Sequence, residues 1–565
     1  MSLVGENTQA ASELNQFDAV VVGAGFAGLY MLHRLLKMGK RVKVFEAGSD
    51  VGGTWFWNRY PGARCDVESI EYSYSFSEEL QQEWKWSERY ATQPEIHRYI
   101  THVAERFGLK RQIQLNTRVV SAVFDDAANL WTVTTDTGDV VKATFCIMAT
   151  GCLSTAKTPD VLGLDSFKGP IYHTGQWPLT AVDFSGQRVA VVGTGSSGIQ
   201  LIPQVAKQAK HLHVFQRTAN YSVPAHNTTM NPVDESDKKS RYAQIRQAAR
   251  ESPTGVAGFP IPDKSIFDVT DAERERMLNH RWDIGGTSFT RAFNDVVLDK
   301  KANKVVADFV RDKTRTLVND PAVAGLLAPS HLIGTKRLCV DTEYFQTYNR
   351  DNVTLVDIKR SPIAEITPDG IRTAEATYKF DAIVFATGFD AMTGALLGID
   401  IRTTSGVSLR ELWAHGPRTY LGLMTAGLAN LFMITGPGSP SVLSNVIVSI
   451  EQHVEWISNC LDYLRANGIQ RIEADAAAQD NWVTHVNEVA DRTLLPQGAS
   501  WYVGANIPGK PRVFMPYIGG VGVYRKKCQE IADAGYTGFR LAQANTKNQP
   551  SRPDAVETTA ALAPA

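Results

Sequence analysis

Two stretches of this chain carry the same order of apolar and polar positions. At 18–25, DAVVVGAG is a run of β-branched residues ending in glycines, which predicts a buried parallel strand that turns sharply. A helix is predicted over about 27–38, and a second apolar strand at 41–48, RVKVFEAG, ends on an acidic residue. Positions 187–218, QRVAVVGTGSSGIQLIPQVAKQAKHLHVFQRT, repeat strand, glycine turn, helix and strand about 170 residues later. Each copy is a βαβ unit, so the expected fold is α/β with two Rossmann-like dinucleotide-binding domains. A second echo joins them: CIMATG at 146–151 and DAIVFATG at 381–388 are apolar strands closing on Ala-Thr-Gly.

Between about 225 and 332 the β-branched runs give way to charged stretches such as DESDKKSRYAQIRQAARES, which predicts a helical insertion. The tail, 542–565, lacks aromatic residues and is expected to be disordered, as is the N-terminal lead.

Composition narrows the functional classes. With 58 basic and 59 acidic side chains the net charge is −1, which argues against nucleic acid as a partner. No run approaches the roughly 20 apolar residues that span a membrane, and the first residues lack an export signal. A soluble, cytoplasmic, monomeric protein is expected. Six scattered cysteines offer no C-x-x-C pair and no metal-ligand spacing, so neither a metal site nor the cysteine pair of a disulfide reductase is indicated.

The charge after each glycine turn separates the two ligands. In the first turn Gly23 permits the tight bend, Gly25 lets backbone approach a pyrophosphate, and Gly28 allows close helix packing. Glu46, at the end of the second strand, can take both hydroxyls of an adenosine ribose and repels a 2′-phosphate, which suits FAD or NAD. The second turn, Gly193-Thr194-Gly195-Ser196-Ser197-Gly198, is followed by Arg217 at the corresponding place. A guanidinium there offers paired donors to a phosphate, with Thr218 as a further donor, which selects NADPH. Spacing alone yields a flavoprotein that takes hydride from NADPH, without naming the electron acceptor.

Phe167 to Pro178 fits F-x-G-x-x-x-H-x-x-x-W-P, and Gly52-Gly53-Thr54-Trp55 through Tyr60-Pro61-Gly62 to Asp66 fits G-G-x-W-x-x-x-x-Y-P-G-x-x-x-D. Both resemble the signatures of type I Baeyer–Villiger monooxygenases, nearest the members acting on phenylacetone and steroids, over about 18–540. The resemblance implies that FAD and NADPH insert one atom of O2 beside a ketone carbonyl, giving an ester or lactone through a C4a-peroxyflavin. Aryl-alkyl, linear or bulky cyclic ketones are the implied substrates, with sulfoxidation as a side activity.

By the same resemblance Arg337 stabilises the anionic oxygen species and Asp66 holds Arg337, while Lys336 reaches the NADP 2′-phosphate with Arg217. Trp501 matches a mobile-loop tryptophan that reaches NADP. Phe26, Thr54, Trp55, Trp57, Arg64, Cys65, Tyr72, Val119 and Val446 complete the implied cofactor-binding set. His173 and Trp177 are expected to serve the linker between the halves. The FAD domain is expected at 1–150 and 385–541, and the NADP domain at 151–224 and 333–384, around the insertion at 225–332. A flavin N- or S-oxygenase and a nonenzymatic NADP-binding redox sensor remain open alternatives.

Overall fold

The computed structural model describes residues 15–258 and 262–543, so 1–14 and 544–565, with most of the expected disordered tail, lie outside the described residues. The first sheet is built around β1 (Gln16–Val22), which is parallel to both its neighbours, β2 (Val42–Phe45) and β6 (Val140–Met148). Helix α1 (Phe26–Lys37) is the crossover between β1 and β2. Its apolar run is continuous because both faces of β1 are covered. Val21 packs with Leu29 and Leu32 of α1, whereas Val20 packs with Phe124 and Trp131 on the other side. β3 (Ile113–Gln114) extends the sheet beyond β2, and β4 (Val119–Asp125) and β5 (Leu130–Thr135) extend it antiparallel from β6.

A second, fully parallel sheet holds β7 (Ile171–His173), β8 (Arg188–Val192) and β9 (His211–Gln216), with helix α2 (Ser196–Gln208) crossing from β8 to β9. β10 (Ser222–Pro224) leaves this unit and pairs with β11 (Cys339–Asp341), on the return from the insertion. β12 (Val353–Asp357) joins the sheet beside β9. β13 (Ile363–Thr367), β14 (Gly370–Thr373) and β15 (Thr377–Lys379) form a separate antiparallel meander. β16 (Ala382–Phe385) then enters between β8 and β7.

The remaining chain returns to the first sheet. β17 (Asp400–Thr403) pairs with β4, and β18 (Leu431–Met433) pairs parallel with the last residues of β6. β19 (Ile469–Ala474) and β20 (Phe539–Gln543) make a final antiparallel pair.

The stretch read as one helical insertion is divided between two places. Tyr242 joins the core of the first half, and the buried Arg246 donates to the carbonyls of Ile70 and Glu71, to Ser73 and to Gln81. Residues 266–310 instead pack in a different apolar cluster around Trp282, Phe289 and Val306, shared with Tyr90, Tyr221, Val223 and Val340. A buried cation reads as a solvated one in sequence, because the carbonyls that hold it leave no mark in side-chain identity. Among the described residues no helix is long and apolar enough to cross a membrane.

Candidate active site

The two glycine turns solve one steric problem twice. Gly23 and Gly193 have φ of +104° and +113°, a backbone that L side chains rarely adopt. A Cβ on Gly28 would lie 1.8 Å from the Gly23 carbonyl oxygen, and one on Gly198 would lie 2.2 Å from that of Gly193. The same geometry explains the Ala-Thr-Gly echo. Ala149 and Ala386 follow directly on β6 and β16 and lie against Gly23 and Gly193, where a larger residue would push the turn away.

Around the first turn, Glu46 is buried and accepts from the backbone N–H of Ala24 and of Gly48, both at 2.7 Å. Burial raises its carboxyl above the ordinary value while those N–H groups pull it back. Gly25 faces Gly53 closely enough that a Cβ on Gly25 would sit 3.3 Å from the Gly53 Cα. The Phe26 ring packs against Tyr72, and Trp55 donates from Nε1 to the Tyr72 hydroxyl at 3.1 Å. Thr54 is exposed, Trp57 half-buried, and Cys65 and Val119 buried, while Val446 starts the helix Val446–Ala466. Arg64 stands apart: its guanidinium binds Glu88 and the Tyr90 carbonyl.

At the second turn, a Cβ on Gly195 would meet no protein atom within 4 Å, so the space above the α2 N-terminus can take a ligand. Ser196 contacts the Cys339 sulfur at 3.3 Å, and Tyr60 interacts with Ser197. Thr194 donates to the Thr218 carbonyl at 3.1 Å, which fixes the segment carrying Arg217 just beyond β9. Burial and the Arg217 charge lower Lys336 below the usual lysine range. Among the described residues neither Arg217 nor Lys336 forms an ion pair. Two like charges held together without a carboxylate, beside an open helix N-terminus, suit a phosphate-bearing nucleotide.

Arg337 and Asp66, 271 positions apart, meet in a bidentate pair. Nε donates to Oδ2 at 2.7 Å and Nη2 to Oδ1 at 2.8 Å, while Nη1 donates to the Val442 carbonyl at 2.7 Å. Their side chains are 29% and 24% exposed, so the pair is shielded yet reachable. The Asp66 charge holds the guanidinium well above its ordinary value, and Arg337 draws Asp66 below 3.8 against the cost of burial. Tyr502, which sequence reasoning missed, lies against Arg337 and is pushed up to about 12, mainly by burial. Its neighbour Trp501 is half-buried, its ring 4.4 Å from that of Tyr502.

The two halves are joined beside this pair. The Tyr60 hydroxyl donates to Gln200 Oε1 at 2.8 Å, and Gln200 Nε2 donates to the Arg64 carbonyl at 3.0 Å. Trp177 is buried against Tyr172 and donates its backbone N–H to the Trp57 carbonyl at 3.3 Å. All six cysteines are free, and only Cys152 is not fully buried. Burial raises the thiols of Cys65 and Cys339, the latter to about 12, so neither is an activated thiolate.

Residues 20–251 match a family described as pyridine nucleotide-disulphide oxidoreductase. A Baeyer–Villiger monooxygenase of Pseudooceanicola batsensis is 42% identical over 95% of this chain and 98% of its own length. Phenazine N-monooxygenase PhzNO1 of Lysobacter antibioticus is 41% identical over 94% and 98%. The structure of an oxidized steroid monooxygenase bound to NADP superposes with a TM-score of 0.90, at 51% identity, covering 94% of this chain and all of that one. The α/β flavoprotein fold and the identity over nearly the whole chain come together in one assignment: the chain belongs to the Baeyer–Villiger monooxygenases, enzymes that depend on FAD and NADPH.

Proposed function

We propose that this enzyme converts aryl-alkyl, linear or bulky cyclic ketones to esters or lactones, using NADPH and O2. FAD held at the first glycine turn, once reduced by NADPH, supplies the oxygen activation. The observation that carries the reading is the Arg337 guanidinium, fixed by Asp66 and the Val442 carbonyl at the junction of both halves. A permanent charge in partly dry surroundings stabilises an anionic oxygen nucleophile and the tetrahedral adduct it forms on a carbonyl. Glu46 accepts ribose hydroxyls of the flavin nucleotide, and Arg217 with Lys336 takes the 2′-phosphate of NADPH. Gly195 leaves room for the pyrophosphate of NADPH at the second turn. Trp501 and Tyr502 cover the site on the Arg337 side.

The relationship to a phenazine N-monooxygenase supports a second reading, oxygenation of an aromatic nitrogen or a sulfide. That chemistry uses a protonated, electrophilic oxidant and gains nothing from a guanidinium that favours the anion. Incubating the protein with NADPH and phenylacetone, a steroid methyl ketone, a phenazine or a thioether, with product identification, separates the two. Ester from the ketones is the expected result. N-oxide or sulfoxide alone, or NADPH consumption without ester, would refute the proposal.

A further inference from the structure

We propose that Arg246, on the helix Tyr242–Glu251 of the insertion, is a positioning residue for Arg337 and sets how much of the activated oxygen reaches a ketone and how much leaves as hydrogen peroxide; this rests on the reading that the Arg337 charge favours the oxygen nucleophile. Arg337 is oriented by two acceptors, the Asp66 carboxylate and the Val442 carbonyl. The segments that carry them, 66–75 and 442–446, meet at one atom. The Glu71 carbonyl oxygen accepts from Asn445 Nδ2 at 2.9 Å and from Arg246 Nη1 at 3.0 Å.

Arg246 is 6% exposed, and all three of its nitrogens are committed to the first of those segments and its support. Nη2 donates to the Ile70 carbonyl at 3.1 Å and to the Ser73 hydroxyl at 2.7 Å, and Nε donates to Gln81 Oε1 at 3.0 Å. Arg250, one turn on, donates to the Ser75 hydroxyl at 3.0 Å, and Ser75 is bound through its N–H and hydroxyl to Glu451 on the helix Val446–Ala466. The chain that follows closes the clamp from the other side. The Ala257 N–H donates to the Glu71 carboxylate at 2.8 Å, and the Thr254 carbonyl accepts from the Asn445 N–H at 2.7 Å. Asn445 Oδ1 accepts from the Ile447 N–H at 3.2 Å, so the residue that caps this helix also bonds the Asp66 segment.

The geometry calls for a guanidinium, because a planar fork reaches carbonyls on two sides at once whereas an ammonium is a point donor. Asn445 lies three residues beyond Val442, in a turn closed by the Ser444 N–H and hydroxyl on the Ser441 carbonyl at 3.2 and 2.8 Å. A shift at Asn445 is therefore passed to the Val442 carbonyl and so to Arg337. The consequence is a partition between two balanced outcomes. With transfer, NADPH, a proton, O2 and ketone give NADP+, ester and water; without it, NADPH, a proton and O2 give NADP+ and hydrogen peroxide. A guanidinium held in one orientation favours the first, since its charge is already aimed where the oxygen nucleophile and its adduct develop theirs.

The test measures ester and hydrogen peroxide formed by the FAD-loaded protein from NADPH with phenylacetone and with a steroid methyl ketone. In Arg246→Met the ratio of ester to peroxide should fall about fivefold, the worth of one hydrogen bond, and Arg246→Lys should recover part of it. The ratio does not depend on how much of the protein is folded, so a role in stability alone would leave it unchanged. Asn445→Asp keeps the acceptor for the Ile447 N–H but loses the donor to Glu71, and should lower the ratio too; it decides the matter if Arg246→Met fails to take up FAD. The double variant should be no worse than the more affected single one, because both act on one carbonyl. An unchanged ratio in either single variant, or effects that multiply in the double, overturns the inference. Ester from neither ketone in the unmodified protein overturns the functional reading itself, whereas ester formed at the same ratio by parent and variants overturns this inference alone.

Discussion

Replacing Arg337 by Ala removes three N–H donors at once: two to Asp66, at 2.7 and 2.8 Å, and one to the Val442 carbonyl at 2.7 Å. It also leaves Asp66 unpaired while still shielded, so the local charge changes from a neutral pair to a bare carboxylate. Loss of one neutral donor to an oxyanion costs about 10²–10³ in kcat. Here the lost donor is a cation and the residue left behind is an anion, so ester formation should fall by at least about 10³, roughly 4 kcal/mol on the barrier. The assay follows NADPH oxidation and ester together, with anaerobic bleaching of the flavin by NADPH as a separate measurement. Bleaching should persist, because Arg217, Lys336 and both glycine turns are untouched. Arg337→Lys, which keeps the charge but not the fork, should fall between the two. Ester formation in Arg337→Ala within about threefold of the parent would refute the electrostatic argument, since so small a change is less than 1 kcal/mol.

Arg217→Ala should raise KM for NADPH about 10–100-fold, the worth of a charge-assisted contact, with kcat and the KM for NADH nearly unchanged in steady-state assays. Gly198→Ala would place a methyl 2.2 Å from the Gly193 carbonyl oxygen, and titration should show NADP+ binding lost with the flavin spectrum retained; Gly28→Ala should lose FAD instead. In the parent, the depressed Asp66 value makes the Asp66–Arg337 pair a stabilising contribution that is present above pH 3.8 and fades as pH falls through the folded value. In Arg337→Ala burial, the largest cause, is opposed only by the backbone N–H of Asp66 and raises the carboxyl, so the contribution reverses sign and stability falls as pH rises through the new value; thermal midpoints against pH for both proteins check this.

What sequence shows of this molecule is what sterics forces into residue identity. The glycines at 23, 28, 193 and 198 are legible because a carbonyl oxygen occupies the place of a Cβ or the turn needs positive φ. The Ala-Thr-Gly strand ends are legible for the same reason. Glu46 and Arg217 are legible because they follow those turns at a fixed structural distance. The insertion was not, since its helices look alike in charge although Arg246 is buried on the first half and Trp282 centres a separate cluster. The Val442 contact uses a carbonyl, which any residue would supply, and Tyr502 belongs to no motif of its own beside Trp501. Arg337 and Asp66 come together only through the fold, so spacing could not pair them and only a family pattern could.

That separation has a functional logic. Asp66 follows the loop that packs on the first glycine turn, whereas Arg337 comes just before β11, on the return from the insertion. Gln200, on α2 of the second unit, is bonded to both Tyr60 and Arg64, so the Asp66 loop is held against the nucleotide helix of the other half. The Val442 carbonyl comes from the chain that has returned to the first sheet. Three segments far apart in sequence must therefore dock before the guanidinium is fixed. An unfixed arginine would be free to turn to solvent, where water screens its charge and the oxygen nucleophile loses its stabilisation. If Arg337 acts as proposed, joining its charge to the domain contact makes oxygen transfer depend on a correctly closed pair of halves.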